Sequence, residues 1–190
     1  MFEEIISQIS VHLSKHKIPH MIIGGQAVLL YGEPRLTRDI DITLGVGIDS
    51  LDTVLSIIKE LKLRILSKNI IDFVKKTMVL PMIEKKTGIR VDFIFSFTPY
   101  EKEAIRRANI IEILGKKVPF ASVEDLIIHK IFAGRPRDLE DVRTIILKNP
   151  NLDVYCIKKC LKLFDFSYQH KNFLKTFENM LKTIQTSRKA

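Results

Sequence analysis

The sequence predicts an α+β fold whose strands lie in the first two-thirds of the chain and whose end is helical. Three observations carry this prediction. Apolar residues recur at helical spacing at the start of the chain. Strand-like runs fill the stretch from about residue 20 to residue 120. From Ser122 onward the pattern is helical only. The expected organisation is therefore a core over residues 1–121 and a helical module over 122–190 packed on it. At 190 residues the chain is long enough for one sizeable core with such an appendage.

Taken in order, Phe2, Ile5, Ile6, Ile9 and Leu13 mark an amphipathic helix. Pro19 leads into a short strand, His20 to Ile23, which Gly24-Gly25 breaks. Residues Gln26 to Tyr31 are good helix formers that stop at Gly32. Arg38 to Leu44 alternates acid with isoleucine or threonine, a strand pattern. Asp49 or Ser50 can cap a helix whose apolar face is Leu51, Val54, Leu55, Ile58 and Leu61. Met78 to Glu84 and Ile89 to Phe97 read as strands joined through Lys85-Lys86-Thr87-Gly88. Thr98-Pro99-Tyr100-Glu101 is a capping box with proline at the first helical position. Ile110 to Leu114 and Lys117 to Phe120 predict a second hairpin through Gly115. Beyond Ser122, helices are separated at Gly134-Arg135-Pro136, Asn149-Pro150-Asn151 and Tyr168-Gln169-His170, and residues 186–190 are expected to fray. Phe164, Phe166, Phe173 and Phe177 read as core or helix-packing residues and not as a base-stacking platform.

Composition narrows the function classes. Hydrophobic residues make up 46% and charged residues 28%, as in soluble globular proteins, and no apolar run reaches the length of a membrane span. Met1-Phe2-Glu3-Glu4 is acidic and lacks the apolar region of a secretory signal. Cys156 and Cys160 match neither a disulfide framework nor a zinc site and read as reduced thiols on one helix face, so a cytoplasmic setting is expected. The net charge of +9 favours polyanionic partners, although lysines spread round the C-terminal helices also serve solubility. His12 and His16 lack the glutamate of a zinc-protease helix.

The chemistry concentrates in Ile23-Gly24-Gly25 and Arg35-Leu36-Thr37-Arg38-Asp39-Ile40-Asp41-Ile42. Alternate residues of a strand share a face, so Asp39 and Asp41 project together while Ile40 and Ile42 turn to the core. Two carboxylates on one face repel unless a cation lies between them, and hard oxygen ligands suit magnesium. Gly24 and Gly25 allow close approach of backbone to a ligand, and the helix behind them aims N–H groups at an anion. The plain alternative is a glycine turn with two solvated aspartates. Asp92, the only acid in the apolar run Arg90-Val91-Asp92-Phe93-Ile94-Phe95, is the candidate for a third metal ligand or general base. A salt bridge to Arg90 or Lys86 is its structural alternative. No Walker-type or dinucleotide-binding glycine motif is present.

The order hydrophobic-Gly-Gly, Asp-hydrophobic-Asp-hydrophobic and a later strand aspartate resembles the DNA polymerase β-type nucleotidyltransferase superfamily over residues 20–95 or so. The resemblance implies a short mixed sheet backed by helices. It also implies magnesium held by Asp39, Asp41 and Asp92, and transfer of a nucleotidyl group from an NTP to a hydroxyl with release of pyrophosphate. A second stretch, Glu124 to Asp141, with Lys130 followed by Arg135-Pro136-Arg137-Asp138 and Asp141, resembles the AbiEii-type toxins of type IV toxin–antitoxin systems. The lead-in Arg35-x-Thr37 also resembles that branch. This likeness implies that Lys130 contacts the NTP phosphates, that Asp138 or Asp141 supports it, and that Arg35, Thr37 and Arg137 line the nucleotide site. Helix-dipole complementarity for Lys130 and Asp138, and an i,i+4 pair between Arg137 and Asp141, are the structural alternatives.

The expectation is thus a magnesium-dependent nucleotidyltransferase acting on RNA such as tRNA, or on protein, with a cognate antitoxin as possible partner, no membrane attachment and an open oligomeric state. Transfer to a small molecule of the aminoglycoside type, or a catalytically inactive nucleotide- or RNA-binding module, are the alternatives.

Overall fold

The computed structural model describes residues 1–96, 98–168 and 171–187. They divide into two compact units, Met1–Ala27 with Leu36–Ser122, and Val28–Arg35 with Val123–Ala190. The chain passes between units three times, inside a helix after Ala27, between Arg35 and Leu36, and between Ser122 and Val123.

The first unit is built on a mixed seven-stranded sheet among the described residues, in the order β3-β4-β5-β2-β1-β7-β6. Its strands are β1 (His20–Ile23), β2 (Asp39–Leu44), β3 (Arg64–Ile65), β4 (Val79–Ile83), β5 (Arg90–Phe95), β6 (Asn109–Ile113) and β7 (Lys116–Phe120). The two expected hairpins are present as the antiparallel pairs β4/β5 and β6/β7. Strands β1 and β2 are antiparallel, whereas β1/β7 and β2/β5 are parallel. Helix α1 (Phe2–Lys15) buries the predicted face, Ile5, Ile6, Ile9 and Leu13, and packs on β7. Helices α3 (Leu51–Glu60), after a single 3-10 turn, and α5 (Pro99–Arg106) also belong here. The start of α5 is the predicted capping box: the Thr98 N–H and hydroxyl both donate to the Glu101 carboxylate. Fully buried Met21, Ile22, Ile40, Ile42, Leu44, Val91, Phe93 and Phe95 form the core of the central strands.

Residues 62–77, for which the sequence pattern predicts no element, hold β3 and α4 (Ile70–Thr77). The reason is physical. A two-residue strand has no periodicity, and α4 buries only Val74 while Ile71 and Phe73 stay exposed.

The second unit is helical, as expected: α6 (Val123–Ala133), α7 (Pro136–Lys148), α8 (Val154–Ser167) and α9 (Phe173–Ser187). Helix α8 starts four residues after Pro150, where Asp153 caps it by accepting from the Cys156 N–H at 2.9 Å. Leu126, Ile127, Ile128, Val142, Ile145, Ile157, Leu161 and Phe177 are buried residues of these helices. The segment 28–35 is pinned to α7: Asn149 donates to the Tyr31 carbonyl at 2.8 Å, and Lys148 to the Gly32 carbonyl at 3.2 Å. One packing expectation is corrected. Phe173 and Phe177 are buried, and Phe164 meets Phe132 with tilted rings at 5.4 Å and Phe173 edge-on at 6.5 Å, but Phe166 is 86% exposed because it lies on the side of α8 opposite buried Ile157. The expected break at Gln169-His170 and residues 188–190 lie outside the described residues. No described helix is long and apolar enough to cross a membrane.

Candidate active site

Strand alternation places the first candidates as the sequence predicts. Along β2, Ile40 and Ile42 are fully buried and Asp39 and Asp41 are half-buried. Along β5, Val91 and Phe93 are buried and Asp92 is half-buried. In the parallel β2/β5 register Asp41 lies directly abreast of Asp92, and Asp39 abreast of Arg90. Directly paired residues on adjacent strands show their side chains to the same side, with strands about 4.8 Å apart. The three acids therefore share one face of the sheet centre.

Gly24 explains how the site closes on the side of β1. Ile23, the last residue of β1, pairs with Asp41 across the antiparallel ladder. The chain then turns at Gly24 with φ +65° into helix α2 (Gly24–Tyr31). A Cβ on Gly24 would lie 2.0 Å from Oδ2 of Asp41. Glycine is thus required twice, for a left-handed backbone and for the space that the Asp41 carboxylate occupies. Gly25 is buried in the first turn of α2. The positive end of that helix lies beside a carboxylate of the chain itself, which it favours electrostatically.

Asp39 is held from its own strand lead-in. The buried Thr37 hydroxyl lies 3.2 Å from Asp39 Oδ1 and 3.4 Å from the Asp39 carbonyl, and the Gln26 amide donates to the same carbonyl at 3.4 Å. Thr37 thereby orients a carboxylate. Asp92 has a cation beside it: Arg90 Nε donates to its Oδ1 at 2.9 Å, so the predicted salt-bridge alternative is present. The bond to Asp92 raises the Arg90 guanidinium above its ordinary value; burial opposes this, and the charges of Asp92, Asp39 and Asp41 add to it. One arginine thus faces the field of all three acids.

Among the described residues no group of three His, Cys, Asp or Glu side chains is set closely enough to form a complete metal cage. Magnesium does not need one, since it keeps several waters and binds through one or two carboxylates plus substrate phosphates. The donor set on β2 and the glycine recess that admits Asp41 fit such an ion.

The second unit gathers Arg35, Lys130, Asp138 and Asp141 into a chain of ion pairs. Arg35 grips Asp141 with two bonds, Nε to Oδ1 at 2.7 Å and Nη2 to Oδ2 at 2.8 Å. Lys130 Nζ bridges Asp141 at 2.7 Å and Asp138 at 2.9 Å. Arg135 closes the far end on Asp138 at 2.5 Å. Lys130 is only 5% exposed, so its charge needs these acids. Burial pushes the Asp138 and Asp141 carboxyls up, but hydrogen bonds and charge from Arg135 and Lys130 at Asp138, and from Arg35 and Lys130 at Asp141, outweigh it. Both are held below the usual carboxylate range. Asp138 and Asp141 therefore both support Lys130, and Asp141 pairs with Arg35 instead of Arg137. Arg137 is exposed and forms no ion pair among the described residues.

Sequence reasoning assigned no particular role to Arg135 or Gln26 and gave Arg90 only as an alternative partner for Asp92. The signals were faint: an arginine three residues before Asp138 at a helix start, and an arginine two residues before Asp92 on the same strand face.

A model of the family described as "Nucleotidyltransferase of unknown function (DUF6036)" matches residues 1–185. Comparison with curated proteins finds no match. Among solved structures, the antibiotic-resistance factor ANT(2'')-Ia superposes with a TM-score of 0.59 at 17% identity, covering 89% of this chain and 95% of that one. A crystal structure of that factor in complex with adenylyl-2''-tobramycin gives 0.58 at 18% identity, covering 88% and 98%. A protein from H. pylori described as a nucleotidyltransferase gives 0.53 at 19% identity, covering 94% and 89%. These likenesses establish the fold.

Proposed function

The chain belongs to this nucleotidyltransferase family, and on that premise we propose that it transfers a nucleotidyl group from an NTP to a hydroxyl acceptor, with magnesium held by Asp39 and Asp41 and with Asp92 on the same face as general base. The observation that carries this reading is the β2/β5 register, which sets Asp41 abreast of Asp92 with Asp39 on the same face and Gly24 making room for Asp41. When bound, the metal neutralises phosphate charge and acidifies a coordinated oxygen.

The chain's own residues do the rest. Thr37 and Gln26 fix Asp39 before substrate arrives, which lowers the reorganisation the reaction needs. The acceptor oxygen attacks the α-phosphorus, the bond from that phosphorus to the bridging oxygen breaks, and pyrophosphate leaves with the bond electrons. Asp92 takes the acceptor proton on Oδ2, the oxygen that does not receive the Arg90 Nε bond. Lys130 acts as a positioning residue. It fixes Asp141, and Asp141 fixes the Arg35 fork that precedes the Leu36–Asp39 lead-in by one residue.

The AbiEii-type branch, with RNA or protein as acceptor and an antitoxin as partner, is the preferred finer reading. The link from Arg35 through Asp141 to Lys130 and Asp138 supports it, because the two stretches that carry that resemblance are joined in one network. A second reading, transfer to a small-molecule hydroxyl, is favoured by the likeness to ANT(2'')-Ia. The test is incorporation of labelled NTP into RNA, protein and small-molecule pools with magnesium. Asp39→Ala and Asp41→Ala are expected to lose at least ~100-fold, since the ion they hold contributes several kcal/mol. Undiminished incorporation by both variants refutes the proposal, and the labelled pool separates the two acceptor readings.

A further inference from the structure

Helix α8 turns outward a face that its own unit does not bury. Tyr155 is 77%, Leu163 60% and Phe166 86% exposed, while Ile157 and Leu161 on the opposite side are buried. At about 3.6 residues per turn, Tyr155, Lys159, Lys162 and Phe166 fall on one stripe, with Leu163 at its margin. The two rings stand three turns apart, roughly 16 Å along the helix.

The charges on this stripe are all of one sign. Lys159 and Lys162 are exposed and form no ion pair among the described residues, whereas Lys158, to one side, is answered by Glu178 at 2.8 Å. The only acid of α8, Asp165, is engaged elsewhere: it accepts the Phe173 N–H at 2.7 Å and the Leu174 N–H at 3.2 Å and so starts α9.

Exposed apolar side chains often mark protein interfaces, but such interfaces are depleted in lysine. Rings interleaved with unanswered cations match a ligand that offers π faces and phosphates together, which is an unpaired nucleic acid strand. Duplexes keep their base faces stacked and give Tyr155 and Phe166 nothing to cover. Unpaired loops and ends are characteristic of RNA, and RNA carries the hydroxyls that a nucleotidyl acceptor needs. The net charge of +9 draws such a strand in at long range.

We propose that the outward stripe of α8 is a docking surface for single-stranded RNA, with Tyr155 and Phe166 stacking on unpaired bases and Lys159 and Lys162 contacting phosphates. This deepens the transferase reading by naming the acceptor's class, and rests on that reading for the use made of the docked strand.

The test is fluorescence anisotropy of the full chain with a fluorescein-labelled oligouridylate of about 12 nucleotides, a length within the range of single-strand sites. The Tyr155→Ala/Phe166→Ala double variant should bind at least ~10-fold more weakly with its salt dependence unchanged. The Lys159→Gln/Lys162→Gln variant should lower the slope of log affinity against log salt by about 1.4, two phosphate contacts' worth. Far-UV circular dichroism checks that α8 stays folded in both. Equal binding of a blunt RNA duplex, or of the deoxy strand in preference, overturns the proposal. So does undiminished binding by both variants, or a wild-type dimer in sedimentation that Phe166→Ala dissolves, which would make the stripe a contact between copies. Because binding is read without turnover, Asp39→Ala protein must still bind. Binding without transfer refutes the transferase reading alone, and transfer without binding refutes the docking surface alone.

Discussion

At the scale of single residues, Gly24 and Arg90 define the site as sharply as the acids do. Gly24→Ala places a methyl group 2.0 Å from an Asp41 oxygen and forces alanine into a left-handed backbone. The backbone effect alone costs about 1–2 kcal/mol. The methyl group also pushes Asp41 off its position, and a displacement of that order costs about 100-fold in rate. Urea unfolding and NTP incorporation measured on the same variant should show both losses; a variant with wild-type rate would place Asp41 outside the reaction. Arg90 has the opposite sign. It holds Asp92 at 2.9 Å and opposes any second cation drawn to the three acids. Arg90→Gln should therefore tighten binding of manganese, used as a magnetic probe for magnesium, by about 3- to 10-fold, as expected for removing one partly exposed charge a few ångströms away. Electron paramagnetic resonance titration reads this directly, and weaker manganese binding would show instead that Arg90 orients Asp92 for the metal.

At the scale of elements, the ion-pair chain between segment 28–35, α6 and α7 sets the stability of the helical unit. Removing Lys130 leaves Asp138 and Asp141 buried with one cation fewer, and breaking a buried pair in this way costs about 3–5 kcal/mol. Lys130→Met should show that loss in urea unfolding at neutral pH. Asp138 and Asp141 are held below their unfolded value of about 3.9, so their contribution is complete above that pH and disappears as pH falls through the depressed values. His20 acts in the same direction from higher pH. Burial lowers it below about 6.5, and folding is opposed as acid charges it. Wild-type stability should thus fall in acid, with its steepest loss below about pH 4, and Asp138→Asn should flatten that final limb. The elements themselves were legible where periodicity or caps are strong: α1 by its stripe of Ile5, Ile6, Ile9 and Leu13, α5 by its capping box, and both hairpins by their turn residues. The face shared by Asp39 and Asp41 followed from alternation alone. Asp92 was legible as an acid in an apolar run, but its level with Asp41 depends on strand register, a long-range property that no local pattern carries. The pairing of Arg35 with Asp141 was equally hidden, because it spans 106 residues of sequence.

At the scale of the whole molecule, the chain sets a cluster of acids on the central sheet of a protein whose net charge is +9. The basic excess raises the local concentration of polyanions, and under the proposed reading the acids take a divalent cation, so that an NTP carrying its magnesium would answer both at once. A ligand that binds only the folded chain stabilises it by mass action, by about 2.7 kcal/mol at a hundredfold excess over its Kd. For a chain divided into units of fewer than 150 residues each, this corresponds to a rise of several degrees in Tm, about 4 °C or more. Thermal unfolding with each of the four NTPs in turn, with magnesium and then with chelator, should show that rise for the preferred base and lose it on chelation. The Asp39→Ala/Asp41→Ala protein should unfold at the same temperature with and without ligand. A shift that survives both chelation and the double substitution would locate nucleotide binding away from the sheet carboxylates. A shift confined to one base would identify the donor before any acceptor is known, because binding to the folded chain reports on the nucleotide without requiring the hydroxyl that receives it.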